Sequence, residues 1–392
     1  MADEPGLAPM EGVTEFPARL WFGLTSAPAE MTTPFLRITS TSPGRSLPRD
    51  YAPELFRLRG ALPWRLIPQV MAADAAHAAR VLPLLPEGIP LSINAGCPSN
   101  VVTGKGAGSG LLRDAARFAG FLTRLVDAAG PGRISIKMRT GWAAHEELNE
   151  LLDGIAGLPL HSIVIHGRTR AGRYSRGCRW DLIRQAAIRL DQPVIGSGDI
   201  LSRHHLHRLL PPDSPVAGAI IGRGALRHPW IFDSIRTGRD SSIPAAALIH
   251  SLGCWVLLHL LWLQDRPGLY DLVERGLFTF PCGNRPERWE ALYRDLAGHC
   301  GTAADPADLQ TPAKVTGRLK LLWTYLRSSL PANLQDRQLL RQKSAGGLLT
   351  AVRSRTAPAQ NLPLRHHEEL DVWYESRQDA RAPQPAKETS YG

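Results

Sequence analysis

The sequence predicts an α/β fold, a (β/α)8 TIM barrel over residues 1–240 followed by a smaller all-α helical domain over residues 241–355. Three observations predict it. Eight short apolar runs, each bounded by Gly, Pro, Asn or Asp, recur between residues 6 and 224. Segments able to form helices lie between most of them, and alternating strand and helix makes a parallel sheet. Hydrogen-bonding or charged residues sit at the C-terminal ends of seven of the runs, where barrels of this kind collect their chemistry.

In chain order the runs are GLAPMEG (6–12), AEMTTPF (29–35), RLIPQV (65–70), PLSINAGC (90–97), RISIKMR (133–139), SIVIHGR (162–168), PVIGSGD (193–199) and GAIIGRG (218–224). Helices are expected at 115–129 and 201–210, among others. The second repeat is the weakest, because Pro43 and Pro48 interrupt its helix. The strand ends carry Met10 and Glu11, Gln69, Asn94 and Cys97, Lys137 and Arg139, His166 and Arg168, then two small-residue turns. Those turns, Ser197-Gly198-Asp199 and Gly222-Arg223, expose backbone N–H groups after the seventh and eighth strands. That is where such barrels cradle phosphate, and Arg223 adds a charge-assisted contact. A phosphorylated cofactor is expected there.

Beyond the barrel, residues 245–263 are apolar, uncharged and long enough to span a bilayer. A single such segment in mid-chain, flanked by polar globular sequence, reads as a buried helix, and no membrane is expected. Residues 314–355 carry nine Lys/Arg against one acid, Asp336. An apolar-periodic helix there places Lys314, Arg318, Lys320 and Arg327 for nucleic-acid phosphates; a solvated basic face is the other reading. Residues 356–392 are polar and Pro-rich and read as a disordered tail with one short helix. His366 and His367 at its start are read as solvated.

The 392 residues hold 46 Lys+Arg against 36 Asp+Glu, a net charge of +10, which favours a polyanionic partner, nucleic acid first. Only six of the 46 are lysines, so Lys137 on an apolar strand stands out. Five cysteines without a Cys-x-x-Cys pair argue against disulfides and zinc; no metal is expected. The start lacks a basic segment followed by an apolar one, so the protein is expected in the cytoplasm. It is expected to be a monomer.

LAPMEGVTEFPAR, NAGCPSNVVTGKGAGSGLL, KMRTGW, IHGRTRAGRYSRGCRWDLI, PVIGSGDI and IIGRGALRHPWIF occur in order. Together they closely resemble the flavin-dependent tRNA-dihydrouridine synthases over roughly residues 6–240. MTTPFLRI and APELFRL look most like the bacterial C-type subgroup, which acts on uridine 16 of the D-loop. The chain departs from the family pattern at Ser197, where Asn is usual, and from the subgroup at Pro34, where a glutamate is usual. Residues 265–312 look like an insertion.

The resemblance implies FMN as cofactor, NADPH or NADH as reductant, and tRNA as partner. It implies reduction of uridine to 5,6-dihydrouridine, with hydride delivered to C6 and a proton from Cys97 to C5. A thiol with a pKa of about 8.5 is mostly protonated at neutral pH and can act as a general acid; an inert buried cysteine is the other reading. By resemblance Asn94 orients the uracil edge, Lys137 stabilises reduced flavin, and Gln69 bonds the flavin ring. Ala8, Pro9 and Met10 lie along the ring edge, and His166 meets flavin phosphate, ribityl or substrate. Arg139, Arg168, Tyr174 and Trp180 meet RNA or shape the mouth. For these residues a strand-end turn, a capping histidine or plain core packing are the bland alternatives. Two other functions stay open, an FMN-dependent small-molecule pyrimidine oxidoreductase on the same barrel and a catalytically inactive RNA-binding paralogue.

Overall fold

A computed structural model describes residues 4–42, 47–48, 50–174, 177–239, 242–357 and 360–364. Every strand pairing from residue 6 to 221 is parallel, and the ring closes on the first strand. Leu7 of Gly6–Leu7 pairs with Ile221 on one side and Met31 on the other.

Two barrel strands are each split by a proline. The second runs as Glu30–Thr32 and Leu36–Arg37 on either side of Pro34, the third as Arg65–Ile67 and Gln69–Met71 on either side of Pro68. Proline has no N–H to give the ladder. The first halves pair through Met31↔Leu66 and the second halves through Leu36↔Val70. The Pro68 carbonyl still accepts from Ser92 N–H at 2.9 Å, so ten segments make an eight-stranded ring. Leu91–Ala95, Ile134–Arg139, Ser162–His166, Val194–Ser197 and Gly218–Ile221 complete it.

The first strand is shorter than the sequence suggests. It ends at Leu7 because the chain turns just beyond: the Val13 and Thr14 N–H groups donate to Met10 O at 3.1 and 3.0 Å. The second repeat has no α-helix among its described residues, only the 3₁₀ turn Pro53–Leu55. Elsewhere helices follow their strands. Ala115–Ala129 starts at an Asp114 cap that accepts from Arg117 N–H at 2.9 Å, and it buries Phe118, Phe121, Leu122 and Leu125. Arg203–Leu209 lies within the expected 201–210, capped by Ser202.

Helix Ala245–Gln264 is the apolar segment of the sequence and is largely buried within the protein. It packs on barrel helix Phe16–Ser26, where Trp21 Nε1 donates to Ser251 O at 2.8 Å and stacks edge-on against Trp255. Helices Pro286–Cys300, Ala313–Leu326 and Ala345–Arg353 surround it. Pro286–Cys300 and Arg266–Glu274 come from the stretch read as an insertion.

The expected tail boundary at residue 356 needs correction. Asn361–Pro363 pairs antiparallel with Ser242–Pro244, and Leu362 is buried opposite Ile243. The apolar Leu362 and Leu364 supply the side chains for this packing, which the polar composition around them conceals. Residues 365–392, with His366 and His367, lie outside the described residues.

Candidate active site

The C-terminal ends of five strands converge on one cavity. Residues 8–10, Lys137, His166, residues 197–199, Gly222 and Arg223 line it together. Among the further lining residues are two polar ones, Tyr174 and Arg227. Arg227 escaped the sequence reading, although GRGALR places it one helical turn past Arg223. The cavity holds ≈ 100 Å³ of free space, less than a complete flavin nucleotide needs, so only part of such a group fits within it.

The thiol stands on a braced loop. Asn94 Oδ1 accepts from the N–H groups of Gly96 (3.1 Å) and Cys97 (2.9 Å), and its Nδ2 donates to Gln69 Oε1 at 2.8 Å. Gln69 Nε2 donates in turn to Ser92 at 3.0 Å. Gln69 and Asn94 are both buried, and these bonds turn them toward each other and toward the thiol loop. Ser109, from the glycine-rich segment, donates its N–H (3.2 Å) and hydroxyl (2.8 Å) to Cys97 O. Cys97 itself is half-buried against Met71 and Ala107. Burial pushes its thiol up from the ordinary value and the Glu11 carboxylate adds to this, while a backbone hydrogen bond at Ser99, Arg139 and Lys137 oppose it. The group is a protonated thiol at neutral pH.

Behind the cavity lies a layer of buried charge. Arg168 Nη2 donates to both carboxylate oxygens of Asp199 at 2.8 and 2.6 Å, with both side chains 2% exposed. Asp199 also accepts from Cys178 N–H at 2.9 Å, and Arg223 stands 3.9 Å away. Arg168 was expected at RNA; the structure commits it to this pair instead. Arg139 is likewise turned inward, donating Nε to Gly96 O at 2.8 Å and Nη1 to Thr169 O at 3.0 Å. It therefore props the thiol loop from below. Trp180 is buried and donates to Gly198 O at 2.9 Å, which makes it core packing under the seventh strand. Tyr174 is 43% exposed at the mouth, with the Arg223 guanidinium 3.9 Å above its ring.

His166 is buried and neutral: burial lowers it well below its ordinary value, and Arg139, Lys137, Arg168 and Arg223 reinforce this. Lys137 has no hydrogen bond or ion pair among the described residues. Burial, with Arg139 beside it, lowers it to about 8. The cavity thus carries Lys137, Arg223 and Arg227 against one carboxylate, Asp199, which Arg168 already satisfies. That excess of positive charge fits an anionic phosphorylated group. The turns fit it too. Gly222 presents an open face, and a Cβ there would lie 3.6 Å from Ala8 Cβ and 3.8 Å from Met10 Sδ. At Gly198, φ is +118° and a Cβ would fall 2.7 Å from Cys178 Sγ and 2.8 Å from His166 Cδ2. Gly198→Ala is expected to cost about 1–3 kcal/mol and to loosen the cradle. Thermal unfolding with bound-flavin absorbance measures this, and an unchanged melting temperature contradicts it.

Of the four cations expected at RNA phosphates, two are occupied. Arg318 donates to both oxygens of Glu15 (2.8 and 2.7 Å) and to Gly12 O, clipping helix Ala313–Leu326 to the barrel. Arg327 donates to Gln335 O. Lys314 is exposed and Lys320 half-buried, and neither has a partner among the described residues.

A closed parallel barrel with a braced thiol and a cationic small-residue cradle at its C-terminal mouth is built as an enzyme. The family model described as Dihydrouridine synthase (Dus) matches residues 6–255, and the chain belongs to that family. A relative from Xanthomonas axonopodis pv. citri, named tRNA-dihydrouridine synthase B, is 31% identical over 275 residues, covering 66% of this chain and 79% of the relative. Its namesake in Pseudomonas aeruginosa is 33% identical over 253 residues, covering 62% and 72%. Both carry the B designation, whereas the sequence reading pointed to the C-type. Among solved structures, morphinone reductase superposes with a TM-score of 0.43 at 14% identity over 62% of this chain and 87% of that one, too distant a likeness to add to the strand order.

Proposed function

We propose that this protein reduces uridine in tRNA to 5,6-dihydrouridine in the cytoplasm, with Cys97 as the proton donor. The observation that carries this is the thiol itself, protonated and half-buried on a loop that Asn94, Arg139 and Ser109 hold beside the cationic cavity. Two relatives bearing the tRNA-dihydrouridine synthase B name support it. The C-type resemblance was the basis for uridine 16, and we do not extend the proposal to a position.

Lys137, His166, residues 197–199, Gly222 and Arg223 would hold FMN. Such a flavin would supply hydride chemistry for uracil C6, with NADPH or NADH as the reductant. The chain supplies the rest. Gln69 and Asn94 fix the rim so that Cys97 meets C5 with its proton in place. His166, held neutral, offers hydrogen-bonding without adding charge. Lys137 would set a cation beside the bound flavin, favouring an electron-rich ring. The extruded uridine must leave its stack, and Lys314 and Lys320 are free to contact the phosphates that hold the rest of the RNA.

Purified protein should carry flavin absorbance, and tRNA from cells lacking the protein should lose dihydrouridine at one or more positions. Reduction of free uracil or orotate without tRNA would point to a small-molecule oxidoreductase instead. Colourless protein that takes up no FMN would point to RNA binding without catalysis. The pH dependence of cofactor binding is a second test. The ammonium of Lys137 is charged below about 8 and neutral above it, so affinity for anionic FMN should fall as pH rises through that value. Titrations giving one Kd from about pH 7 to about pH 9, one unit either side of that value, would exclude that role.

A further inference from the structure

A second cavity, ≈ 370 Å³, lies between the barrel and helices Ala245–Gln264 and Ala313–Leu326. Ligand sites span about 300–1,000 Å³. Phe35 and Trp262 give it aromatic walls, and exposed Lys314 stands at its edge. Its floor holds an unusual group. His259 is 3% exposed, and its Nδ1 lies 2.8 Å from Trp255 O, so that nitrogen carries the hydrogen and donates it. Nε2 on the opposite edge is then a lone pair, buried and without a partner among the described residues. Burial keeps the imidazole neutral, at about 4, so Nε2 remains an acceptor throughout the neutral range. A buried acceptor is ordinarily satisfied; this one has under 1 Å² accessible although its residue lines the cavity, so a small side-chain shift would have to open it to a donor there.

One wall of the cavity shares an apolar cluster with the thiol. Phe35, which lines it, packs in one apolar cluster with Met71, Ala107 and Cys97. Two other lining cations, Arg318 and Arg266, are already paired with Glu15 and Asp50. Among the described residues, Lys314 is the lining cation left to meet an anion. A flat group with apolar faces, a donor edge and a phosphate attached meets all these features. Each nucleobase has such a donor edge, as an amino or ring N–H group.

We propose that this cavity takes a second nucleotide of the same RNA, a neighbour of the uridine at Cys97. Its base, once a side-chain shift opens Nε2, donates to His259 between Phe35 and Trp262, and its phosphate lies at Lys314. This rests on the proposed reaction and adds a subsite that reads the sequence or shape around the target uridine.

The test uses full-length protein and a stem–loop RNA bearing the target uridine, with abasic substitutions placed one at a time on either side of it. Binding is measured for wild type, His259→Phe, Trp262→Ala and Lys314→Ala, with thermal unfolding as a fold control. Base stacking on aromatic residues predicts that one abasic position weakens wild-type binding about tenfold to a hundredfold. The same substitution should cost His259→Phe and Trp262→Ala little more, because the interaction is already lost. Lys314→Ala, at an exposed site, should weaken intact RNA without unfolding the protein. A flat abasic scan, or fully additive losses, overturns the subsite. Free adenosine, guanosine, cytidine and uridine serve as a second arm: tight binding that RNA does not displace would assign the cavity to a small molecule and overturn it too. Wild-type protein forming dihydrouridine with a flat scan fails this inference alone, whereas protein that neither binds tRNA nor forms dihydrouridine fails the reaction.

Discussion

Cys97→Ala should leave a folded, flavin-coloured protein that forms dihydrouridine roughly 10²–10⁴-fold more slowly. The substitution removes a side chain on a loop whose backbone bonds, from Asn94 and Ser109, do not involve the sulfur. Flavin retention and melting temperature should therefore change little while the proton step loses its source. The wild-type pH profile carries an independent signature. An acid must be protonated to act, and burial raises this thiol from its ordinary value. The rate should stay level through neutral pH and fall on the alkaline side, as pH passes the raised value. Normal turnover by the alanine variant, or an alkaline limb unchanged by it, would remove Cys97 from the role.

The second large effect concerns stability. Arg168→Met leaves the Asp199 carboxylate buried with only the Cys178 N–H close by, since Arg223 stands 3.9 Å off. Breaking a buried pair from one side costs about 3–5 kcal/mol, which denaturant unfolding resolves. The double variant Arg168→Met/Asp199→Asn should recover much of the loss, because no charge is then stranded, Asn tolerates the left-handed backbone at this position and its amide oxygen still accepts from Cys178 N–H. A single variant as stable as wild type would mean that water reaches Asp199 and screens it.

The sequence exposed the barrel well because strand ends and glycine turns are local signals. The order of eight runs and the two small-residue turns could be read from spacing, and the Asn94–Cys97 element from the family resemblance. The split strands were also available, since Pro34 and Pro68 interrupt their ladders. What the sequence concealed was pairing across long separations. An arginine announces its charge but not its partner. Thus Arg168 and Arg139 look like RNA contacts until the fold brings Asp199 and the Gly96 carbonyl to them. Arg318 meets Glu15 across 303 residues, a distance over which no periodicity carries information. Residues 361–363 were hidden for a related reason: a three-residue strand in polar surroundings shows itself only when its partner, 242–244, is beside it.

That short pairing bears on the order in which the nascent chain can mature. The eight barrel strands leave the ribosome before residue 242, yet the seam joining 242–244 to 361–363 cannot be sewn until translation has passed residue 363. Meanwhile Trp21 and its neighbours wait for helix Ala245–Gln264 to cover them. Chaperone demand should therefore peak late in synthesis, after the barrel has formed and before its greasy flank is sealed.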